Sequence, residues 1–174
     1  MKKLNDEPKN PLFSETQKTT NLWIVLLIAV LLLISIWAIV QQNIMDKPFG
    51  NNPAPDWLIW LMPVIPLLLL LIFMRTKMIT FIDKNGIWFK YLPFHAKYRF
   101  YPWNEIISAY IREYKPVKEF AGYGIRRISP EGTIAYSVKK NTSLQLSLQS
   151  GKRLLIGTSK PDDIQNTLEK LDKA

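Results

Sequence analysis

LWIVLLIAVLLLISIWAIV, Leu22–Val40, and WLIWLMPVIPLLLLLIFM, Trp57–Met74, are the stretches whose reading decides the fold of this chain. No charged residue lies between Lys18 and Asp46, and none between Asp56 and Arg75. A charge at the centre of a bilayer helix costs about 2.5–3.5 kcal/mol, so gaps of this length select lipid as the solvent. At about 1.5 Å per residue the stretches reach about 28 and 27 Å, against a hydrocarbon layer about 30 Å thick. Buried helices of soluble proteins carry shorter apolar runs, about 10–14 residues. A cleaved leader needs a small-x-small site after its apolar region, and here Gln41, Gln42, Asn43 and Ile44 follow instead. Pro63 and Pro66 interrupt the second stretch, which membrane helices tolerate where neighbours satisfy the freed carbonyls.

The expected organisation follows directly. Residues 1–20 form a polar, disordered tail containing Pro8 and Pro11. Transmembrane helices occupy 21–41 and 57–74, an extracytoplasmic loop 42–56, and a domain 75–174. Lys2, Lys3, Lys9 and Lys18 precede the first helix, Arg75, Lys77, Lys84 and Lys90 follow the second, and the loop carries only Lys47. The positive-inside bias therefore puts both termini and the domain in the cytoplasm of a two-pass protein of the cell (inner) membrane. Trp23, Trp37, Trp57 and Trp60 lie near the proposed helix ends, where indole rings favour the interface. The absence of cysteine excludes disulfides, thiolate metal sites and a cysteine nucleophile.

From Arg75 onward the pattern turns amphipathic and β-rich. Met78–Ile82 and Ile87–Tyr91 flank Asp83-Lys84-Asn85-Gly86, and Asn-Gly signals a hairpin because both residues tolerate positive φ. Tyr98–Trp103 and Ile106–Tyr114 are further strand candidates, with Tyr123–Ile128 and Thr133–Val138 as shorter ones. Leu144, Leu146 and Leu148 alternate with Gln145, Ser147 and Gln149 as a half-buried strand does. Ser150-Gly151 then turns into Lys152–Gly157. A capping Ser159, Pro161 and Asp162 start a final helix, which places Ile164, Leu168 and Leu171 on one face. That apolar stripe suits closure of a bent sheet or barrel.

About seven antiparallel strands capped by one C-terminal helix resemble the pleckstrin-homology fold. Tyr101-Pro102-Trp103-Asn104-Glu105-Ile106 is similar to the proline-tryptophan-x-x-isoleucine step of bacterial membrane-anchored PH-like domains. The stretches Glu119–Arg127, Ala135–Val138 and Leu154–Thr158 resemble uncharacterised bacterial membrane proteins of the same kind. The resemblance implies the fold class: a membrane α-hairpin followed by a mainly β, PH-like domain. It says little of activity, since one fold serves many functions. Better-known members bind phosphoinositides through a basic cluster in the first hairpin, where this chain has only Lys84.

Chemistry-bearing constellations are sparse, and no enzymatic activity, cofactor or metal site is expected. His95 is the single histidine, so a histidine-based pair cannot form, and a surface loop position accounts for it. Glu105, Glu113 and Glu119 read as strand-end charges, and Gly122-Tyr123-Gly124 as a bend or bulge. Charge is the stronger signal. Residues 75–174 hold 18 Lys and Arg against 9 Asp and Glu, while the first 74 hold five of each, so the whole net +9 belongs to the domain. Lys115, Lys118, Arg126, Arg127, Lys139, Lys140, Lys152 and Arg153 fall at or near predicted turns. A solvated surface obeying the positive-inside bias explains the surplus as well as a ligand does.

Two functional expectations remain. In the first, the domain is a non-enzymatic interaction module that docks a protein partner or a second copy of itself. A strand then adds to a sheet edge, and the Phe120–Arg127 segment, with Phe120, Tyr123, Arg126 and Arg127, is the place to look. In the second, the basic surface binds anionic lipid headgroups, with about 1 kcal/mol per nearby cation. Nucleic acid is not an expected partner, because no recognition motif is present.

Overall fold

The computed structural model describes residues 2–4, 7–18, 22–128, 132–138 and 141–173. The chain forms two compact units, Thr20–Thr76 and a second built from Met1–Thr19 together with Lys77–Ala174.

The smaller unit is helical. Helix α1 (Leu22–Ile39) runs on through a π-helical turn, Val40–Ile44, and α2 (Asp56–Leu61) and α3 (Val64–Arg75) follow the loop. Leu22–Ile44 and Asp56–Arg75, 23 and 20 residues, are long and apolar enough to cross a membrane. Their side chains are mostly exposed; Trp23, Ile65 and Met74 are 81, 66 and 73 % accessible. The second stretch is two helical pieces rather than one. Pro63 has no N–H to donate back, so α2 stops at Leu61 and α3 starts after the proline. Pro66 falls in the first turn of α3, where an amide N–H has no intrahelical acceptor in any case. Ile28, Ser35 and Ala38 form the buried face of α1, which packs on α3. The Ser35 hydroxyl donates to the Leu31 carbonyl at 2.7 Å, as the Thr76 hydroxyl does to the Ile72 carbonyl at 2.8 Å. Gln42 ties the loop: its Nε2 donates to the Ala54 carbonyl (2.8 Å) and Asp56 Oδ1 (2.7 Å), and its Oε1 accepts from the Phe49 amide (3.3 Å).

Among the described residues the larger unit holds ten strands: β1 (Lys2–Leu4), β2 (Phe13–Lys18), β3 (Lys77–Ile82), β4 (Gly86–Leu92), β5 (Tyr98–Pro102), β6 (Ile106–Glu113), β7 (Gly124–Ile128), β8 (Thr133–Ser137), β9 (Thr142–Leu148) and β10 (Arg153–Gly157). Helix α4 (Pro116–Phe120) joins β6 to β7, and α5 (Pro161–Lys170) closes the chain. The strands make two five-stranded sheets, ordered β1-β5-β4-β3-β2 and β6-β9-β10-β8-β7. Ile82, Ile87 and Phe89 of the first sheet meet Leu144, Leu146, Leu154 and Ile156 of the second, with Ile164 and Leu168 of α5 completing one core.

Each β run expected after residue 75 forms a strand, and the C-terminal helix is present. Several features differ. The tail expected to be disordered instead supplies both edge strands of the first sheet, β1 beside β5 and β2 beside β3. Its strand β2 escapes the hydrophobic pattern because its inward residues are Phe13, Glu15 and Gln17, two of them polar. Among the described residues eight strands follow residue 75, one for each expected run, and β8 pairs with β10 in parallel, so the sheets are not wholly antiparallel. Ser159 does not cap α5. Its amide donates to Glu15 Oε1 at 2.7 Å, while Thr158 Oγ1 accepts from the Lys160 amide at 3.0 Å.

The Asn-Gly hairpin between β3 and β4 forms by a different mechanism from the expected one. Neither residue has positive φ. The buried Asp83 carboxylate organises the turn: Oδ1 accepts from the Asn85 and Gly86 amides (2.8 and 2.9 Å), and Oδ2 accepts from Trp88 Nε1 (3.0 Å). Gly86 is required by proximity, because a Cβ there would sit 2.2 Å from the Tyr101 carbonyl oxygen.

Candidate functional site

The expected site residues divide among the two faces and one edge of the second sheet. Strand β7 lies at that edge and, among the described residues, pairs with β8 alone. Arg126 is opposite Ala135 and Arg127 opposite Ile134. Side chains alternate along a strand, so these sequence neighbours point to opposite faces. Arg126 shares the outer face with Ala135, which belongs to an outer cluster with Tyr114, Phe120 and Leu155. Arg127 shares the inner face with Tyr136. Arg126, Arg127, Tyr123 and Ile125 are all exposed. Arg126 Nε donates to the Tyr123 carbonyl at 3.2 Å, and the Tyr123 hydroxyl donates to Asn141 Oδ1 at 3.2 Å, which fixes the start of the strand.

Phe120 is not an exposed docking residue. It is buried, with its ring edge-on to Tyr114 at 5.9 Å, and it anchors α4 across the outer face. The helix is short because Ala121 turns left-handed at φ 52°, and the Gly122 amide donates back to the Pro116 carbonyl at 2.9 Å. Gly122 and Gly124 continue at φ 123° and 102°. The glycines expected as a bend or bulge lie in a bend that stops α4 and leads into β7. Glu119 fastens the other side of α4: it pairs with Arg112 of β6 and accepts from the Lys115 amide at 2.8 Å. Lys115 and Lys118 remain exposed on this strap.

Beside the strap lies a groove of about 470 Å³, floored by Ser108, Tyr110, Gln145 and Ser147 and walled by Arg112, Phe120, Thr133 and Arg153. Gln145 is 97 % buried, and among the described residues its Oε1 has no hydrogen-bond partner. The floor therefore offers an acceptor, which buried polar atoms seldom leave unused. Arg153 reaches this groove from β10, whereas Lys152 is exposed in the preceding turn. Lys139 and Lys140 lie outside the described residues. His95, expected on a surface loop, is buried: Nδ1 accepts from the Tyr91 amide at 3.2 Å and the ring packs on Phe89 and Tyr136. Among the described residues no three His, Asp or Glu gather as metal ligands.

Residues 6–171 match the model of a family of unknown function, DUF6141. The chain belongs to that family. The match covers both units of this DUF6141 protein, so the apolar helices and the β unit form one family architecture. No curated protein matches the chain, and no solved structure does. Sequence reasoning singled out the Phe120–Arg127 segment by its arginines and aromatics, and the structure puts β7 at a sheet edge. It missed the groove, because Gln145 shows only as the polar half of an alternating strand.

Proposed function

We propose that this DUF6141 protein is a two-pass membrane protein whose β unit is a non-enzymatic docking module, and that β7 receives an extended, acidic segment of a protein partner. The observation that carries the reading is the open side of β7, a row of backbone donors and acceptors bordered by Tyr123, Ile125, Arg126 and Arg127. An added strand satisfies that row by main-chain hydrogen bonds, and alternate side chains meet the two faces. Charge complementarity selects an acidic occupant, since Arg126, Arg127, Lys115 and Lys118 surround the edge. Glu119, the nearest carboxylate of the strap, is already paired with Arg112.

Membrane insertion is supported by the long, exposed apolar faces of α1 and α3, which water solvates poorly. Register supports two crossings. Lys18 and Lys77 are Cα partners in the β2–β3 ladder, so the chain leaves the sheet and returns to it at one end. The lysine and arginine asymmetry supports a cytoplasmic β unit. Two sheets closed by an amphipathic C-terminal helix support the PH-like comparison.

A photo-crosslinker at Ile125, in native membranes, tests the docking. The expected product joins Ile125 to an acidic stretch of another polypeptide and is lost in the Arg126→Ser, Arg127→Ser double variant. Crosslinks only to lipid or to a second copy of the chain, or aggregation of the double variant with unchanged crosslinks, would overturn it. The last outcome would leave the arginines as guards against edge-to-edge pairing. A second reading rests on the +9 surplus itself. Binding to anionic vesicles that declines as salt screens the charges would favour headgroups over a protein.

A further inference from the structure

We propose that the mouth of the β sandwich beside the β4–β5 turn is a binding site for a phosphate-bearing anion, held by Arg99 and Lys97. Arg99 is opposite Phe89 in the β4–β5 ladder, so its side chain faces the second sheet. There Nη1 donates to the Tyr136 hydroxyl at 2.7 Å, with the guanidinium carbon 5.8 Å from the ring centroid. The guanidinium also bonds the Tyr101 side chain. Both partners are neutral phenols: burial pushes Tyr101 up to about 12 and raises Tyr136, against the opposing pull of Arg99. Neither phenol therefore cancels the positive charge of Arg99. Among the described residues no carboxylate lies within ion-pair distance of it.

A half-buried guanidinium ordinarily has a counter-ion, because burying a charge without one is costly. Here a cavity of about 470 Å³ opens beside Arg99, and among the described residues its titratable lining is Arg99, Lys97 and His95, with no acid. Arg127 acts on Tyr136 from β7 and adds to the same field. His95 shapes the wall, its ring set edge-on to Phe89 and Tyr136 at 5.5 and 5.4 Å. A guanidinium has five N–H donors and an ammonium three. Together they exceed what the two oxygens of a carboxylate absorb and suit the three terminal oxygens of a phosphomonoester. The volume admits a small phosphorylated molecule or a single lipid headgroup.

Calorimetric titration of the full chain in detergent micelles tests the site, with inorganic phosphate, glycerol 3-phosphate and dihexanoyl phosphatidic acid as probes. Saturable binding of at least one probe is expected, weakened about tenfold or more by Arg99→Gln and several-fold by Lys97→Gln. Arg126→Ser, which alters the docking edge, should leave it unchanged. Preference for phosphatidic acid assigns the anion to a headgroup, and equal affinity for glycerol 3-phosphate assigns it to a soluble phosphate; either supports the site. No saturable binding of any probe, or affinity unchanged in Arg99→Gln, overturns it. If Arg99→Gln fails to fold, Lys97→Gln at its exposed position decides, and unchanged affinity there overturns the proposal.

Discussion

Glu15 and Thr158, 143 residues apart, share a buried hydrogen bond of 2.7 Å from the threonine hydroxyl to the carboxylate. The second carboxylate oxygen accepts from the Ser159 amide at 2.7 Å, just before α5 begins. Gln17, two residues on, donates to the Gly157 carbonyl at 2.8 Å. The segment that precedes the apolar helices is thereby bonded to the end of β10 and the start of the last helix.

Glu15→Ala leaves the buried Thr158 hydroxyl and the part-buried Ser159 amide without their partner. A loss of about 2–4 kcal/mol is expected, read from the urea midpoint of the full chain in micelles. Glu15→Gln keeps one acceptor and should cost less than half as much. Equal stability of Glu15→Ala and the parent would show that β2 is dispensable to the sheet.

Gly86 separates two accounts of its hairpin. Gly86→Ala places a Cβ 2.2 Å from the Tyr101 carbonyl oxygen and 2.8 Å from Pro102 Cα, both backbone atoms with little freedom to move. The expected cost is about 2–3 kcal/mol, as for other overpacked sites. Asn85→Ala, at a position without positive φ, should cost under about 0.5 kcal/mol, because the turn uses the Asn85 amide rather than its side chain. Thermal unfolding of both variants decides. A larger effect at Asn85 would restore the positive-φ account.

The parts legible in the sequence are those whose signal is local. Leu144, Leu146 and Leu148 alternate because β9 packs one face on the core, and Leu22–Val40 is apolar but for Ser35 because its helix has no polar face. Strand β2 was not legible: Glu15 and Gln17 find their partners at residues 157–159, and no window near them contains that fact. The parallel β8–β10 pair is hidden for the same reason, since it joins strands that are not consecutive. Strand alternation was sufficient to separate Arg126 from Arg127, once Tyr123–Ile128 was read as a strand. Pro116 at a helix start and the left-handed stop at Ala121–Gly122 mark α4, the element that turns Phe120 inward. His95 carries no local sign of burial, because Tyr136 comes from the other sheet.

Tyr101 sets an alkaline limit on stability. Its folded pKa is raised to about 12, chiefly by burial, above the ordinary 10.0 of the unfolded chain. Below pH 10 the phenol is protonated in both states and the contribution is complete. Between about pH 10 and 12 the unfolded state releases a proton that the folded state retains, so unfolding stability falls as pH rises. Tyr136, shifted upward by the same cause, adds to the slope. Urea midpoints from pH 8 to 12 should be flat and then decline, with a shallower decline in Tyr101→Phe. An identical slope in that variant would remove Tyr101 as a source.

The absence of cysteine makes membrane topology directly measurable. Asn51 lies in the loop between α1 and α2 and Ser150 in the β9–β10 turn, and both are exposed. If the chain crosses twice with the β unit inside, a membrane-impermeant maleimide added to intact cells labels Asn51→Cys and not Ser150→Cys. Permeabilisation should then expose Ser150→Cys as well. The β2–β3 ladder adds an expectation that hydropathy does not: Lys18 and Lys77 are register partners, so the chain leaves and rejoins the sheet at one end, as a double crossing requires. Labelling of Thr16→Cys, exposed on β2, should therefore follow Ser150→Cys in every condition. Labelling of Thr16→Cys from outside while Ser150→Cys stays protected would break the ladder and the two-crossing arrangement together.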